Sequence, residues 1–291
     1  MISVVVPTYN CERFLPLALD SVLGQTYKAY EIIVVDDGST DGTKEVLKPY
    51  LHKIIYEVQQ NKGPAAARNK GINLSSGKYI AFLDADDIWL PEKLQKQAYI
   101  LENNPEVAIV YCKIINVDEK GREVGLSRKK RQMPSGTLFY NLYSWLHILP
   151  STAMIRKEAF KSIGLFDESL RTADELDMWL RIAHRFKIMA INEYLVKYRN
   201  LPNSLCKNRE RVLKDQLYVA AKIFNLFQNR EPYINKRLYY KRLCALNISL
   251  GKHSLRTKER QNALHHFKKA LHYRPIDRKA LRYYLFTFFK N

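Results

Sequence analysis

Four short runs rich in β-branched, aliphatic and aromatic residues, Ile2 to Val6, Glu31 to Val35, Ile54 to Val58 and Tyr79 to Leu83, punctuate the first part of the chain. The intervals between them, about 20 residues each, carry helical patterns, as βαβ units require. The runs are nearly continuous in apolar character rather than alternating, so each strand is expected to be covered on both faces. The sequence therefore predicts an α/β fold around a parallel, doubly covered sheet. Ligands of such sheets bind beyond the carboxyl ends of the strands, which directs attention to the four loops that follow the runs.

Each loop is polar. After the first strand comes Pro7-Thr8-Tyr9-Asn10, with Asn10 placed to cap a helix carrying Phe14, Leu17, Leu19 and Val22. After the second comes Asp36-Asp37-Gly38-Ser39-Thr40-Asp41-Gly42. A turn alone accounts for a glycine and one acid; a pair of acids suggests a second task, since a carboxylate there can accept the ring N–H of a pyrimidine or guanine. The third loop, Asn61 to Asn69, opens a helix with small residues and one long cation, Arg68. Helix N-termini disfavour cations, so a nearby base, ribose or phosphate rationalises Arg68, whereas a solvated surface arginine is the plain alternative. The fourth strand delivers Asp84-Ala85-Asp86-Asp87. Three acids within four residues repel one another unless a cation or hydrogen-bond donors offset the charge. Hard oxygen ligands suit Mg²⁺ or Mn²⁺, which commonly share one or two carboxylates with a substrate diphosphate.

The net charge of +19 is unevenly spread. From Met1 to Val196 there are 25 Lys+Arg against 24 Asp+Glu, and from Lys197 to Asn291 there are 23 against 5, which divides +19 into +1 and +18. A near-neutral body is thus joined to a cationic segment. Beyond Lys207 the pattern is helical throughout, and Ala263, Leu264, Phe267, Ala270, Leu271 and Pro275 resemble half of one tetratricopeptide repeat, read here as a helical hairpin. The expected organisation is a catalytic domain over 1–206 and a basic helical extension over 207–291. With Tyr239, Tyr240, Tyr283, Tyr284, Phe286, Phe288 and Phe289 among the cations, the extension suits an anionic membrane surface or is an ordinary basic helical surface. No apolar run approaches the roughly 18 to 20 residues that span a bilayer. Cys11, Cys112, Cys206 and Cys244 form no paired or metal-ligand spacing, and the Met1 to Pro7 stretch reads as a strand, so a cytoplasmic protein, peripheral at most to the inner membrane face, is expected.

Taken together, the stretches Val5 to Asn10, Val34 to Asp41, Gly63 to Asn69 and Phe82 to Pro91 resemble the family 2 glycosyltransferases, from Ile2 to about Cys206. The resemblance implies a GT-A fold, a Rossmann-like, mixed and mainly parallel sheet flanked by helices, followed here by the all-α basic segment. It implies inverting transfer from a nucleoside-diphosphate sugar, most simply a UDP-sugar, to a hydroxyl of a glycan or lipid-linked acceptor in polysaccharide biosynthesis. By the same resemblance Pro7, Thr8, Tyr9, Asp37 and Arg68 surround the nucleoside, with Asp36 as a neighbouring possibility. Asp84 touches the ribose and metal region, and Asp86 coordinates an Mg²⁺ or Mn²⁺ ion bridging the phosphates.

The family keeps its base in a segment Glu-Asp-x-Asp-x-Trp-x-x-Arg, and this chain reads Asp174-Glu175-Leu176-Asp177-Met178-Trp179-Leu180-Arg181. The first two acids are exchanged. Alignment on Asp177, Trp179 and Arg181 makes Glu175 the implied general base, with Asp174 in reserve. A histidine the family often places after the last sheet strand is replaced in Tyr198-Arg199-Asn200-Leu201-Pro202, which leaves Asp86, diphosphate and water as the implied ion ligands. The segment Asp118 to Ser135, with its Arg128-Lys129-Lys130-Arg131 run, reads as a solvated loop or as a border of the acceptor cleft. The alternatives are a basic nucleic-acid-binding protein and a nucleotidyltransferase on a related sheet. The acidic loop repels nucleic-acid phosphate, so no nucleic acid is expected as partner, and the glycine-rich, lysine-bearing loop of a nucleotidyltransferase is missing.

Overall fold

The computed structural model describes residues 1–28, 30–127, 131–202, 204–232 and 234–289. The chain begins β1 (Ile2–Thr8), α1 (Leu15–Leu23), β2 (Tyr30–Asp36), α2 (Thr43–Leu47), β3 (Ile55–Val58), α3 (Pro64–Leu74), β4 (Tyr79–Phe82), β5 (Ile88–Trp89) and α4 (Lys93–Asn103). It continues β6 (Val107–Val117), β7 (Glu123–Leu126), α5 (Phe139–Ser144), β8 (Met154–Arg156), α6 (Lys157–Ile163), α7 (Asp174–Ala183) and β9 (Lys187–Arg199). Four helices follow: α8 (Arg209–Phe227), α9 (Lys236–Arg256), α10 (Arg260–Tyr273) and α11 (Arg278–Phe289).

The strands form one mixed sheet in the order β3-β2-β1-β4-β8-β6-β9-β5, with β7 on β6. Strands β1 to β4 run parallel, β8 is antiparallel to β4 and β6, and β9 is parallel to β6. The four expected strands are all present. Their side chains are buried on both faces of β1 and β4, as continuous apolar runs require. Helix α3 lies so close to β1 that a Cβ on Gly71 would stand 2.2 Å from Val5 Cγ1. Lys93, on α4, is also buried, its ammonium 3.8 Å from the Trp89 ring centre and hydrogen-bonded to Gln97 at 2.7 Å.

Pro7 sits inside β1, where its missing N–H would normally break the ladder. The loss falls at a harmless place. Amide groups alternate sides along a strand, and the Val5 carbonyl faces β4, accepting from Leu83 N at 3.0 Å. Pro7 faces the same way, beyond the last β1–β4 pair at Val5–Phe82. There the β1–β4 ladder ends, and the loops that follow the two strands begin.

Asn10 does not cap α1. The helix starts after Phe14, and Asn10 takes a left-handed φ of +48°, its Oδ1 accepting from Thr40 N at 2.8 Å. Asparagine tolerates that conformation, so the residue ties the first loop to the second instead. Within Asp118 to Ser135, residues Glu123–Leu126 form β7 against β6, while 128–130 lie outside the described residues.

The chain divides into two compact units, Met1–Leu138 with His147–Asn203, and Phe139–Leu146 with Ser204–Asn291. The first contains the whole sheet. In the second, α5 packs among the carboxyl-terminal helices: Tyr143 donates to Ala220 O at 3.1 Å, and the Phe139 and Phe227 rings meet edge to face at 5.6 Å. In the α9–α10 hairpin a Cβ on Gly251 would fall 2.5 Å from the Phe267 ring, so glycine there gives Phe267 its seat. Ala263, Phe267 and Ala270, the repeat-like positions, are buried. No helix among the described residues is long and apolar enough to cross a membrane.

Candidate active site

The carboxyl ends of β1, β2 and β4 place Thr8, Asp36 and Asp84 along one edge of the sheet, with Thr8 and Asp36 paired across the ladder. Thr8 Oγ1 is buried without a partner among the described residues, and the Tyr9 ring beside it is 50% exposed. A buried hydroxyl and an open aromatic face at a strand end suit a planar, polar ligand. Asp36 is held by Ser39 N at 2.8 Å and the Tyr56 hydroxyl at 2.9 Å. Asp37 accepts from Gln59 Nε2, Lys62 N and Gly63 N at 2.8, 2.8 and 2.7 Å. It thereby fixes the third loop at Gly63, whose φ of +97° favours glycine.

Arg68 is buried, not solvated. Its Nη2 donates to Asp84 and its Nη1 to Asp174, each at 2.7 Å, while Nε has no partner among the described residues. The two carboxylates raise its already high affinity for the proton. This one guanidinium joins the end of β4 to the start of α7, 90 residues apart by the numbering of Asp84 and Asp174. The next residue reinforces the link, since Asn69 bonds both the N–H and C=O of Phe166, at 2.8 and 3.0 Å.

In the acidic loop, Asp86 is half-buried, and burial together with the charge of Asp84 pushes its carboxyl up to about 6. Asp87 is fully buried and accepts from Arg199 N at 3.0 Å. Burial first, then Asp86 and Asp84, drive it well above the ordinary carboxylate range. The negative charge is thus only partly offset by protein donors, and the donor set of Asp84 and Asp86 is hard oxygen, which fits a divalent cation. Among the described residues there is no group of three or more His, Cys, Asp and Glu side chains that could hold one. A cation here would draw its other ligands from substrate and water.

Two residues outside the sequence-derived set shape this loop. Arg199, at the end of β9, donates from Nε to Asp86 O at 3.0 Å and from Nη1 to the carbonyls of Asp118 and Glu119. The sequence shows it within Tyr198-Arg199-Asn200-Leu201-Pro202, but nothing local announces a bond to the acidic loop. Ser151 accepts from Asp84 N at 3.0 Å, and its carbonyl takes the Trp89 indole at 2.8 Å. No local pattern announces that long-range role.

Helix α7 carries the implied base. Ala173, just before it, holds a left-handed φ of +61°, a costly conformation for a residue with a Cβ. Asp174 is buried against Arg68, whereas Glu175 is half-buried and feels the charges of both Asp174 and Arg68. Burial, then the charge of Asp174, push the Glu175 carboxyl up to about 8. Asp174 is also raised by burial, with Arg68 opposing. Asp177 and Trp179 are structural: Arg181 bonds Asp177 at 2.9 Å and spans to Ile163 O and Leu165 O, and the Trp179 indole donates to Ile148 O.

The profile of glycosyl transferase family 2 matches residues 3–164. The chain belongs to glycosyl transferase family 2. Among relatives of this family 2 chain, an uncharacterized glycosyltransferase of Methanocaldococcus jannaschii is 32% identical over 250 residues, 83% of this chain and 84% of its own length. A Bacillus subtilis glycosyltransferase named for teichuronic acid biosynthesis, TuaG, is 30% identical over 78% of this chain and 89% of its own. A Rickettsia typhi relative is 36% identical over 68% of this chain, and the match spans only 64% of that protein's length. Among solved structures, S. aureus TarS 1-349 in complex with UDP superposes with a TM-score of 0.65 at 20% identity, covering 98% of this chain and 89% of that 1-349 chain. A Pyrobaculum calidifontis mannosyltransferase, PcManGT, in complex with GDP-Man and Mn²⁺, gives 0.61 at 18% identity, covering 99% of this chain and 87% of its own. These likenesses show the GT-A fold.

Proposed function

We propose that this chain transfers a sugar, with inversion, from a nucleoside-diphosphate sugar to a hydroxyl of a glycan or lipid-linked acceptor in polysaccharide biosynthesis. The observation that carries the reading is the Arg68 bridge, which holds the acidic loop after β4 and the base-bearing end of α7 on one side chain. A transferase needs those two groups together, because the leaving diphosphate and the attacking hydroxyl meet at one carbon. A UDP-sugar is the favoured donor, supported by the UDP and UDP-GlcNAc complexes of TarS. The name of TuaG supports a polysaccharide acceptor.

In this reading Pro7, Thr8, Tyr9 and Asp37 enclose the base, with Asp36 and Arg68 behind them, and Asp84 reaches the ribose. Asp86, with Asp84, would hold Mg²⁺ or Mn²⁺, which would neutralise charge on the departing diphosphate. The fold neighbour in complex with GDP-Man and Mn²⁺ supports that assignment. Glu175 takes the acceptor hydroxyl's proton as its oxygen attacks the anomeric carbon opposite the diphosphate. The bond to the diphosphate oxygen breaks as the new one forms. Asp174, neutralised by Arg68, positions the base rather than replacing it.

Residues 1–206 would form the catalytic domain, and the remainder, with 21 Lys+Arg against 5 Asp+Glu and so a net +16, would hold it at an anionic membrane face where lipid-linked acceptors lie. Thermal shift with UDP-, GDP- and dTDP-sugars, with and without Mn²⁺, tests the donor; stabilisation by a UDP-sugar that grows with Mn²⁺ is expected. No shift with any activated sugar would refute the enzymatic reading.

A further inference from the structure

Helix α11 presents an outer face quite unlike its inner one. On the inner side Ala280 and Thr287 are buried, and Tyr283 stacks on Phe267 with ring centres 5.4 Å apart. Its last turn is fixed: Arg260, on α10, donates to the carbonyls of Thr287 and Phe288, both at 3.0 Å. On the outer side Leu281, Leu285, Phe288 and Phe289 are exposed, Phe289 by 74%. At about 100° per residue these four share one stripe, and Arg278 and Arg282 fall within it. The Tyr284, Phe288 and Phe289 rings already touch, at 6.0 and 5.2 Å between centres. No Asp or Glu occurs between Arg278 and Phe289.

We infer that α11 is a membrane-docking helix, lying along an anionic bilayer with its leucines and phenylalanines at the acyl boundary and its arginines on lipid phosphates. The inference narrows the membrane reading above to one helix and stands apart from the donor assignment. Charge selects this occupant. A second copy would bring +16 against +16 over residues 207–291. A nucleic acid would satisfy the arginines but leave Leu281, Leu285 and Phe289 in water. An anionic bilayer matches both features at one depth, since arginine stems reach outward past an apolar face.

Co-sedimentation of the full chain with phosphatidylcholine vesicles, with and without phosphatidylglycerol, tests it. The wild type is expected to bind only the anionic vesicles, less at high salt. L285S/F289S and R278E/R282E should each weaken binding at least about tenfold, with circular dichroism unchanged. Anionic-vesicle binding that ignores both variants overturns the role of α11 while leaving a basic membrane surface standing elsewhere. Absence of vesicle binding overturns both. Salt-sensitive retention of single-stranded RNA lost in R278E/R282E, without vesicle binding, would assign the face to nucleic acid. A dimer broken by L285S/F289S would assign it to a second copy.

Discussion

In the proposed reaction Glu175 is the base, and its raised proton affinity has two measurable consequences. A base must be ionised, so the transfer rate should climb with pH and level off above about 8 in an initial-rate profile. Glu175→Gln should lower turnover at least about a hundredfold without abolishing donor binding. The stability consequence has the opposite sense. A carboxyl whose folded proton affinity exceeds its unfolded one loses stability as pH rises from the ordinary carboxylate range to about 8. Removing the ionisable group should therefore raise Tm at pH 8 and above while changing it little near pH 4, a comparison open to scanning calorimetry. The exchange of the two acids and the preference for Glu175 over Asp174 followed from the resemblance, but the pairing of Asp174 with Arg68 was not legible, because it joins residues far apart in the chain. Burial of Lys93 was equally hidden, because nothing in its neighbours distinguishes it from a surface lysine.

At the scale of elements, the strands were legible because apolar runs must be covered, whereas the turns were decided by contacts that spacing does not encode. Asn10 illustrates this: a helix cap by its place in sequence, it is instead a bridge to Thr40. Gly71 illustrates the reverse, a small residue in a helix whose reason appears only when Val5 is found against it. Gly71→Val should force α3 off β1 and cost about 1–3 kcal/mol, read as a lowered denaturant midpoint with an unchanged slope. The β7 pairing was not legible because the strand is only four residues long, Glu123–Leu126, and its alternating Val124 and Leu126 are exposed rather than packed in a core.

For the whole molecule, the uneven charge announced two kinds of structure, and the compact units of the fold have different characters to match. What composition did not announce is that α5, from the middle of the chain, packs with the carboxyl-terminal helices. Its apolar residues look like any core segment, and only their partners reveal where they belong. Long-range assembly also governs the acidic loop, since Arg199 secures it from the end of the sheet. Arg199→Ala should raise the donor KM about tenfold, the scale of losing charged hydrogen bonds that fix a loop, with a smaller change in kcat. The same arrangement has a bearing on biosynthesis. On the proposed reading, a ribosome-bound chain that has emerged only through the acidic loop after β4 owns the loops assigned to the nucleotide but neither Glu175 nor Arg199, so a half-made enzyme would have no means of squandering activated sugar.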